Sequence, residues 1–214
     1  MNVLVVGANG QIGKQLIDLL KESEHTPVAM VRKKEQANKF QQEGVKAVVA
    51  DLEGSVEKIA KAAAGCDAVV FTAGSGGHTG ADKTLLVDLD GAVKTIEATE
   101  QAGIKRFVMV SAFRANSREK WNEKIRHYYV AKHYADKELL RSGLTYTILR
   151  PGGLTNDPGT GKVLIGENLS ESGTISRADV AKIVFSCLDN EKTFNCSFDV
   201  LEGEEAIENA LERL

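Results

Sequence analysis

Four consecutive apolar residues, Val3 to Val6, run straight into Gly7-Ala8-Asn9-Gly10-Gln11-Ile12-Gly13, after which Ile12, Leu16, Leu19 and Leu20 recur on one helical face. A strand, a tight glycine turn and a helix in that order leave few folds open, because the helix must pack back against the strand it has just left. Gly7 permits the turn, Gly10 lets a pyrophosphate approach the backbone, and Gly13 allows close packing of helix on strand. With Asn9, Gln11 and Ile12 around it, the helix start offers unpaired N–H groups and the positive end of a dipole, which suits phosphates.

The unit repeats along the chain. Val28 to Val31 precedes a polar helix around Gln36 to Gln42, Ala47 to Ala50 precedes one over Val56 to Ala64, and Ala68 to Thr72 precedes one from about Asp82 to Ala102. Arg106 to Val110 and Tyr146 to Leu149 are further strands, separated by a helix from about Arg126 to Ser142. These strands are apolar at consecutive positions, as when both faces are buried, so the sheet is expected to be mostly parallel with helices on both sides. That is an α/β, doubly wound Rossmann fold, read as one domain over residues 1–214.

Beyond Pro151 the rhythm loosens. Pro151, Gly152, Gly153, Pro158, Gly159, Gly161, Gly166 and Gly173 mark residues 151–175 as a loop-rich, substrate-side segment with one short strand at Val163 to Ile165. A helix over Arg177 to Leu188, a strand near Cys196 to Val200 and a polar helix over Glu202 to Leu214, carrying Ile207 and Leu211, complete the reading.

Composition narrows the partners. With 27 basic against 30 acidic residues the chain carries no electrostatic footprint for nucleic acid or a membrane surface. No apolar run approaches about 18 residues, and no basic flank precedes the first apolar stretch, so the expected location is cytoplasmic. Cys66, Cys187 and Cys196 form no CxxC pair and the four histidines show no ligand spacing, so the thiols read as reduced and no metal is assigned. A small-molecule substrate is the expected partner, with the chain either a monomer or a homodimer.

The end of the second strand bears on which dinucleotide binds. Sites that prefer NAD place an acid about 20 residues beyond the glycine motif, on the adenosine ribose hydroxyls. Here the strand ends Met30-Val31-Arg32-Lys33-Lys34. Arg32 and Lys33 would neutralise a 2′-phosphate, Arg32 through paired hydrogen bonds, so NADP(H) is expected over NAD(H), which remains possible. The other reading of the run is a solvated charge cluster opening a surface helix.

Further along stand Asp51-Leu52 after the third strand, Thr72-Ala73-Gly74 after the fourth and Ser111 after the fifth. Tyr128-Tyr129-Val130-Ala131-Lys132, Arg150-Pro151-Gly152-Gly153 and Ser176-Arg177-Ala178-Asp179-Val180-Ala181 follow. In this order and spacing the chain resembles the short-chain dehydrogenase/reductases, in particular their small atypical branch of NmrA-like and flavin-reductase-like proteins. The resemblance implies that Asp51 and Leu52 flank the adenine, and that Thr72, Ala73, Gly74, Pro151 and Gly152 surround the ribose and nicotinamide.

Tyr128 and Lys132 match the family's YxxxK motif, and an i, i+4 pair shares one helical face. An ammonium near a phenol favours phenolate, lowering the tyrosine pKa from about 10 and making a proton donor or acceptor. Lys132 would also reach the ribose hydroxyls, and Ser111 would hold the substrate oxygen while hydride moves to or from nicotinamide C4. An ordinary amphipathic helix carries such a pair as well, and Asp88 stands where longer relatives have an asparagine. The loop Gly74 to Gly80 is expected either to close over the nicotinamide, with His78 or Thr79 near substrate, or to be an exposed connection.

The leading expectation is therefore an NADP(H)-dependent oxidoreductase that transfers hydride to a small carbonyl, quinone or flavin-like acceptor. With only about 60 residues after Pro151, an epimerase or dehydratase acting on a bulky nucleotide sugar is the weaker reading. A protein of another class also fits: an NADP(H)-binding redox sensor of NmrA-like type with little or no turnover.

Overall fold

A computed structural model describes all 214 residues. The chain runs through β1 (Asn2–Val6), α1 (Gln11–Lys21), β2 (Thr26–Val31), α2 (Lys34–Gln42), β3 (Lys46–Val49), α3 (Val56–Ala63) and β4 (Ala68–Phe71). After the glycine-rich loop come α4 (Ala81–Lys83), a π-helical stretch (Thr84–Asp90) and α5 (Gly91–Gln101). Next are β5 (Arg106–Val110), two 3₁₀ turns (Arg118–Lys120 and Glu123–Ile125), α6 (Arg126–Arg141) and β6 (Thr145–Pro151). The chain ends with β7 (Gly153–Thr155), β8 (Lys162–Gly166), β9 (Thr174–Ser176), α7 (Arg177–Ser186), β10 (Cys196–Glu202), β11 (Glu205–Ala206) and α8 (Ile207–Leu211).

Nine strands form one sheet in the order β11-β8-β10-β6-β5-β4-β1-β2-β3. From β10 to β3 every neighbouring pair is parallel, which is the doubly wound α/β arrangement expected from the sequence. The consecutive apolar residues of each strand divide between two cores. Val3 and Val5 face α1, α2 and α7 with Leu16, Leu20, Phe40 and Val184. Leu4 and Val6 face α3, α5 and α6 with Ile59, Ile96 and Leu139. Strand order reverses at β1, so the crevice between the carboxyl ends of β1 and β4 is where a ligand belongs.

Three expectations need correction. Residues 151–175 are more ordered than a loop: β7 and β9 pair in parallel as a small second sheet, and β8 joins the main sheet antiparallel to β10. β8 is the strand expected at Val163 to Ile165; β7 and β9 were hidden because they are three residues long and bury few side chains, so no apolar run marks them. The helix read over Glu202 to Leu214 shrinks to α8, since Glu202 ends β10 and Glu205–Ala206 pairs with β8. Finally, the helix read from Asp82 to Ala102 contains the π-helical stretch, where the Gly91 N–H donates to the Leu86 carbonyl. No helix is long and apolar enough to cross a membrane.

Two buried polar clamps set the sheet's geometry. Arg106, 6% exposed, donates to the carbonyls of Leu188, Thr145 and Cys187 and to Thr147 Oγ1, tying β5 to β6 and to the end of α7. Asp179, in the Ser176-Arg177-Ala178-Asp179 motif, accepts from Thr160 N and Gly161 N at 2.9 Å each and from Ser176 Oγ at 2.9 Å. The motif is thus an N-terminal cap for α7 that also anchors the segment before β8.

Candidate cofactor and active site

The glycine turn lies at the switch point. Gly7 has φ +86°, and a Cβ there would sit 2.7 Å from Ala73 N and 2.8 Å from Ala73 Cα, so β1 and the end of β4 approach only because Gly7 has no side chain. A Cβ on Gly13 would overlap the Gly7 carbonyl oxygen and lie 2.8 Å from Ala8 Cα. Gly10 is different: its Cβ would meet only the Gly7 oxygen, at 3.1 Å, leaving the outward side open.

Gly10 N–H closes the turn onto the Gly7 carbonyl at 2.8 Å. Gln11, Ile12 and Gly13 N–H, the first of α1, find no backbone acceptor. Gly10 supplies no capping side chain and no acid stands in the first turn. The helix start is consequently an open, positively polarised anion site, which fits the pyrophosphate of a dinucleotide.

At the end of β2, Arg32 and Lys33 are both exposed, and neither side chain forms an ion pair. The Lys33 backbone opens α2: its N–H donates to Gln36 Oε1 at 3.2 Å, and its carbonyl accepts from Gln36 N at 3.1 Å and Ala37 N at 3.2 Å. Beyond β3, Asp51 Oδ1 accepts from Glu53 N at 3.0 Å, and Leu52 packs where a Cβ on Gly91 would be only 3.0 Å away. Lys94 Nζ holds this turn through the Gly54 carbonyl at 3.0 Å. Thr72 Oγ1 donates to the Val6 carbonyl at 3.0 Å, pinning the end of β4 to β1. Pro151 is buried, and a Cβ on Gly152 would meet the Gly173 carbonyl at 2.5 Å, so this glycine lets β6 pass under the β7–β9 sheet.

Ser111, Tyr128 and Lys132 come together at the carboxyl ends of β5 and β6, but not as an open catalytic set. Lys132, 3% exposed, lies with Nζ 3.3 Å from the Val110 carbonyl and 3.6 Å from Asp88 Oδ1. Asp88, 1% exposed, accepts the Ser75 N–H on its other oxygen at 3.0 Å. Ser111 Oγ is wholly buried without a hydrogen-bond partner, and so is Asp136 Oδ1. The two groups are near enough for the serine hydroxyl to steady the carboxylate, yet no bond of sound geometry forms between them. Asp136 Oδ2 takes Arg150 Nε at 2.9 Å, and Arg150 lies opposite Asp199 in the β6–β10 register.

The phenol departs from expectation. Burial pushes the Tyr128 hydroxyl above the usual tyrosine range; Lys132 pulls it down, and Asp88, Tyr129 and Asp136 add to the rise. The expected downward shift fails because burial of the phenol outweighs the pull of Lys132, with Asp88 adding to the rise. Burial likewise raises Asp136 and Asp199 above the ordinary carboxylate range, against the opposing pull of Arg150.

His78 lies exposed in the Gly74 to Gly80 loop, and Thr79 Oγ1 bonds back to Ser75 O at 3.3 Å and Gly76 O at 3.0 Å. Two clefts, of about 560 and 500 Å³, lie between α1 and the start of α7, and neither is lined by Ser111, Tyr128 or Lys132. Sequence reasoning did not assign Asp136 a role, although Tyr128, Lys132 and Asp136 form an i, i+4, i+8 stripe that the helical period makes readable.

The chain is similar in sequence and fold to known proteins. A Bacillus subtilis protein named as an uncharacterised sugar epimerase, YhfK, is 60% identical over all of both chains. A solved structure from Bacillus halodurans, described as an NAD-dependent epimerase/dehydratase, shares 48% identity with a TM-score of 0.94 over all of both chains. The oxidoreductase ylbE from Lactococcus lactis shares 35% identity with a TM-score of 0.90, over all of this chain and 96% of that one. With residues 7–191 matching the family described as NAD(P)H-binding, from the first glycine of the turn to beyond α7, the chain belongs to that family.

Proposed function

We propose that the protein is an NADP(H)-dependent oxidoreductase acting on a small carbonyl, quinone or flavin-like acceptor. The observation that carries this reading is the pairing of an open anion site at α1 with two unpartnered cations, Arg32 and Lys33, at the end of β2. The α1 amides would hold the pyrophosphate, Arg32 and Lys33 the 2′-phosphate, and Asp51 and Leu52 the adenine. Thr72, Ala73, Gly74, Pro151 and Gly152 would frame the nicotinamide, which when bound supplies or takes up the hydride. The name of the Lactococcus relative supports redox chemistry.

Two relatives carry epimerase names. Against that reading, residues 153–206 are built into β7 to β11 and α7, at the sheet edge and in its packing layer, and not into a separate lobe that would enclose a nucleotide sugar. An acceptor that stacks on the nicotinamide needs no such lobe.

Calorimetric titration of both cofactors tests the phosphate contact. Arg32→Ala is expected to weaken NADPH binding about 10- to 100-fold, the value of a charge-assisted contact, and to leave NADH nearly unaffected. Equal affinities for the two cofactors, unmoved by the substitution, would refute the preference. Turnover is tested by following NADPH oxidation with carbonyls, quinones and flavins. Tyr128→Phe is expected to lower carbonyl turnover more than quinone or flavin turnover. Tight NADPH binding with no oxidation by any acceptor would replace the enzyme reading with that of a redox sensor.

A further inference from the structure

The Ser176-Arg177-Ala178-Asp179 motif caps α7 through Ser176 and Asp179, which leaves Arg177 without a part in the cap. Arg177 is half-buried and held by neutral groups: Nη1 donates to the Leu154 carbonyl at 3.2 Å and to Asn156 Oδ1 at 2.9 Å. No carboxylate pairs with it. Across the cleft of about 500 Å³ between α1 and the start of α7 stands Lys14, which is exposed and has no ion-pair partner, not even Asp18 one turn on. Asp157 is the one carboxylate that lines this cleft, and it pairs with neither cation.

Both cations stand where a helix disfavours them. The amino end of a helix carries the equivalent of roughly +0.5 elementary charge, so a lysine or arginine in the first turn is repelled. α1 has no acid in its first turn to offset Lys14. α7 has Asp179, but its oxygens already accept from Thr160 N, Gly161 N and Ser176 Oγ. Two cations that face one cleft against this local rule become favourable when an anion lies between them. Gln11, the first residue of α1, lines the same cleft, and its N–H is among those left open at the helix start. A dinucleotide pyrophosphate carries a negative charge on each phosphate, more than one helix end can balance.

We propose that Lys14 and Arg177 are cofactor-binding residues, which neutralise the pyrophosphate from the α7 side while the α1 amides hold it at the helix end. Because the pyrophosphate is common to NAD(H) and NADP(H), the pair acts on both alike and takes no part in choosing between them. Arg177 also holds Leu154 and Asn156, so the phosphates and the substrate-side segment share one guanidinium. The assignment rests on the placement of the pyrophosphate made above, and on neither the NADP(H) preference nor redox turnover.

Calorimetric titration of NADH and NADPH into Lys14→Gln and Arg177→Ala tests the pair. Each substitution is expected to weaken both cofactors by the same factor, about 10-fold at low salt. Binding should also become less sensitive to salt in each variant, a change that a purely structural loss would not produce. Lys14→Gln breaks no ion pair within the protein, so its urea midpoint without cofactor should match that of the wild type, and it decides the matter even where Arg177→Ala fails to fold. Affinities unmoved in Lys14→Gln, or lowered for one cofactor only, overturn the proposal, and so does a salt dependence as steep as that of the wild type. Equal wild-type affinities for the two cofactors would remove the NADP(H) preference and leave the pair standing. Wild-type protein that binds neither cofactor would remove the pyrophosphate placement, and the pair with it.

Discussion

Asp136→Ala should lower the free energy of unfolding by about 3–5 kcal/mol, read from urea midpoints at constant slope, because it strands a buried guanidinium. Asp136 and Arg150 have side chains each 3% exposed and meet at 2.9 Å, so little water is available to take the place of the lost carboxylate. Arg150→Met should cost a similar amount for the converse reason. The double variant Asp136→Leu/Arg150→Met should lose much less than the two single losses combined, since no charge is then left unpaired. Strict additivity would show that the two groups do not act as a pair.

The same carboxyl makes stability depend on pH in a definite direction. Burial raises Asp136 in the folded state above its ordinary value, so the native protein binds more protons than the unfolded chain through the intervening window. The contribution is fully present below the unfolded carboxylate pKa and is lost as pH rises through the raised folded value. Asp199, raised for the same reason, adds to the trend. Asp136→Asn, which cannot ionise, should therefore show a flatter decline than the wild type as pH rises from the acid side.

Arg106→Ala is expected to cost on the order of 4 kcal/mol, since several buried acceptors each lose a partner at about 1–3 kcal/mol. The guanidinium is the donor shared by the carbonyls of Leu188, Thr145 and Cys187 and by Thr147 Oγ1, and it also lies 4.5 Å from the Phe194 ring centre. Burial pushes its pKa down to about 10, so it stays charged at neutral pH without any carboxylate in its cluster of hydrogen bonds. Arg106→Lys should recover little, because one ammonium cannot span acceptors on β6 and at the end of α7. Recovery to near wild-type stability by lysine would show that charge, and not the fork of donors, holds this end of the sheet. Cofactor affinity should change little in a folded Arg106 variant, because the clamp binds the amino ends of β5 and β6, away from Gly7 and Ala73.

Much of the fold was legible because its signals are local. Val3 to Val6 and Arg106 to Val110 are consecutive apolar residues, and burial on both faces requires that pattern. β8 was legible as the short run Val163 to Ile165, whereas β7 and β9 escaped such reading because each is only three residues long and begins beside a glycine, so periodicity had little to register. The π-helical stretch was equally hidden, since a helix widened by one residue keeps nearly the same spacing of apolar side chains over a few turns.

The site divides in the same way. Gly7, Gly10 and Gly13 could be assigned from sequence because their roles are steric and confined to seven residues, and the close approaches at Gly7 and Gly13 bear this out. Lys132 could be placed on the same helical face as Tyr128, and its helix position is as expected. Its electrostatic effect on the phenol could not be read there. That depended first on the burial of the phenol and then on Asp88, which reaches Lys132 only after the π-helical stretch packs against α6.

The sequence by itself determined the parallel α/β sheet, the glycine turn at its switch point and the basic run at the end of β2. Each is fixed by neighbours within a turn or a strand. Only the tertiary structure decided that Lys132 answers to Asp88, that Ser111 faces inward toward Asp136, and that the chain after Pro151 folds into the sheet edge. Charge and burial depend on groups brought together from distant elements, and a buried ion pair separated by a low-dielectric interior is felt far more strongly than any contact with solvent.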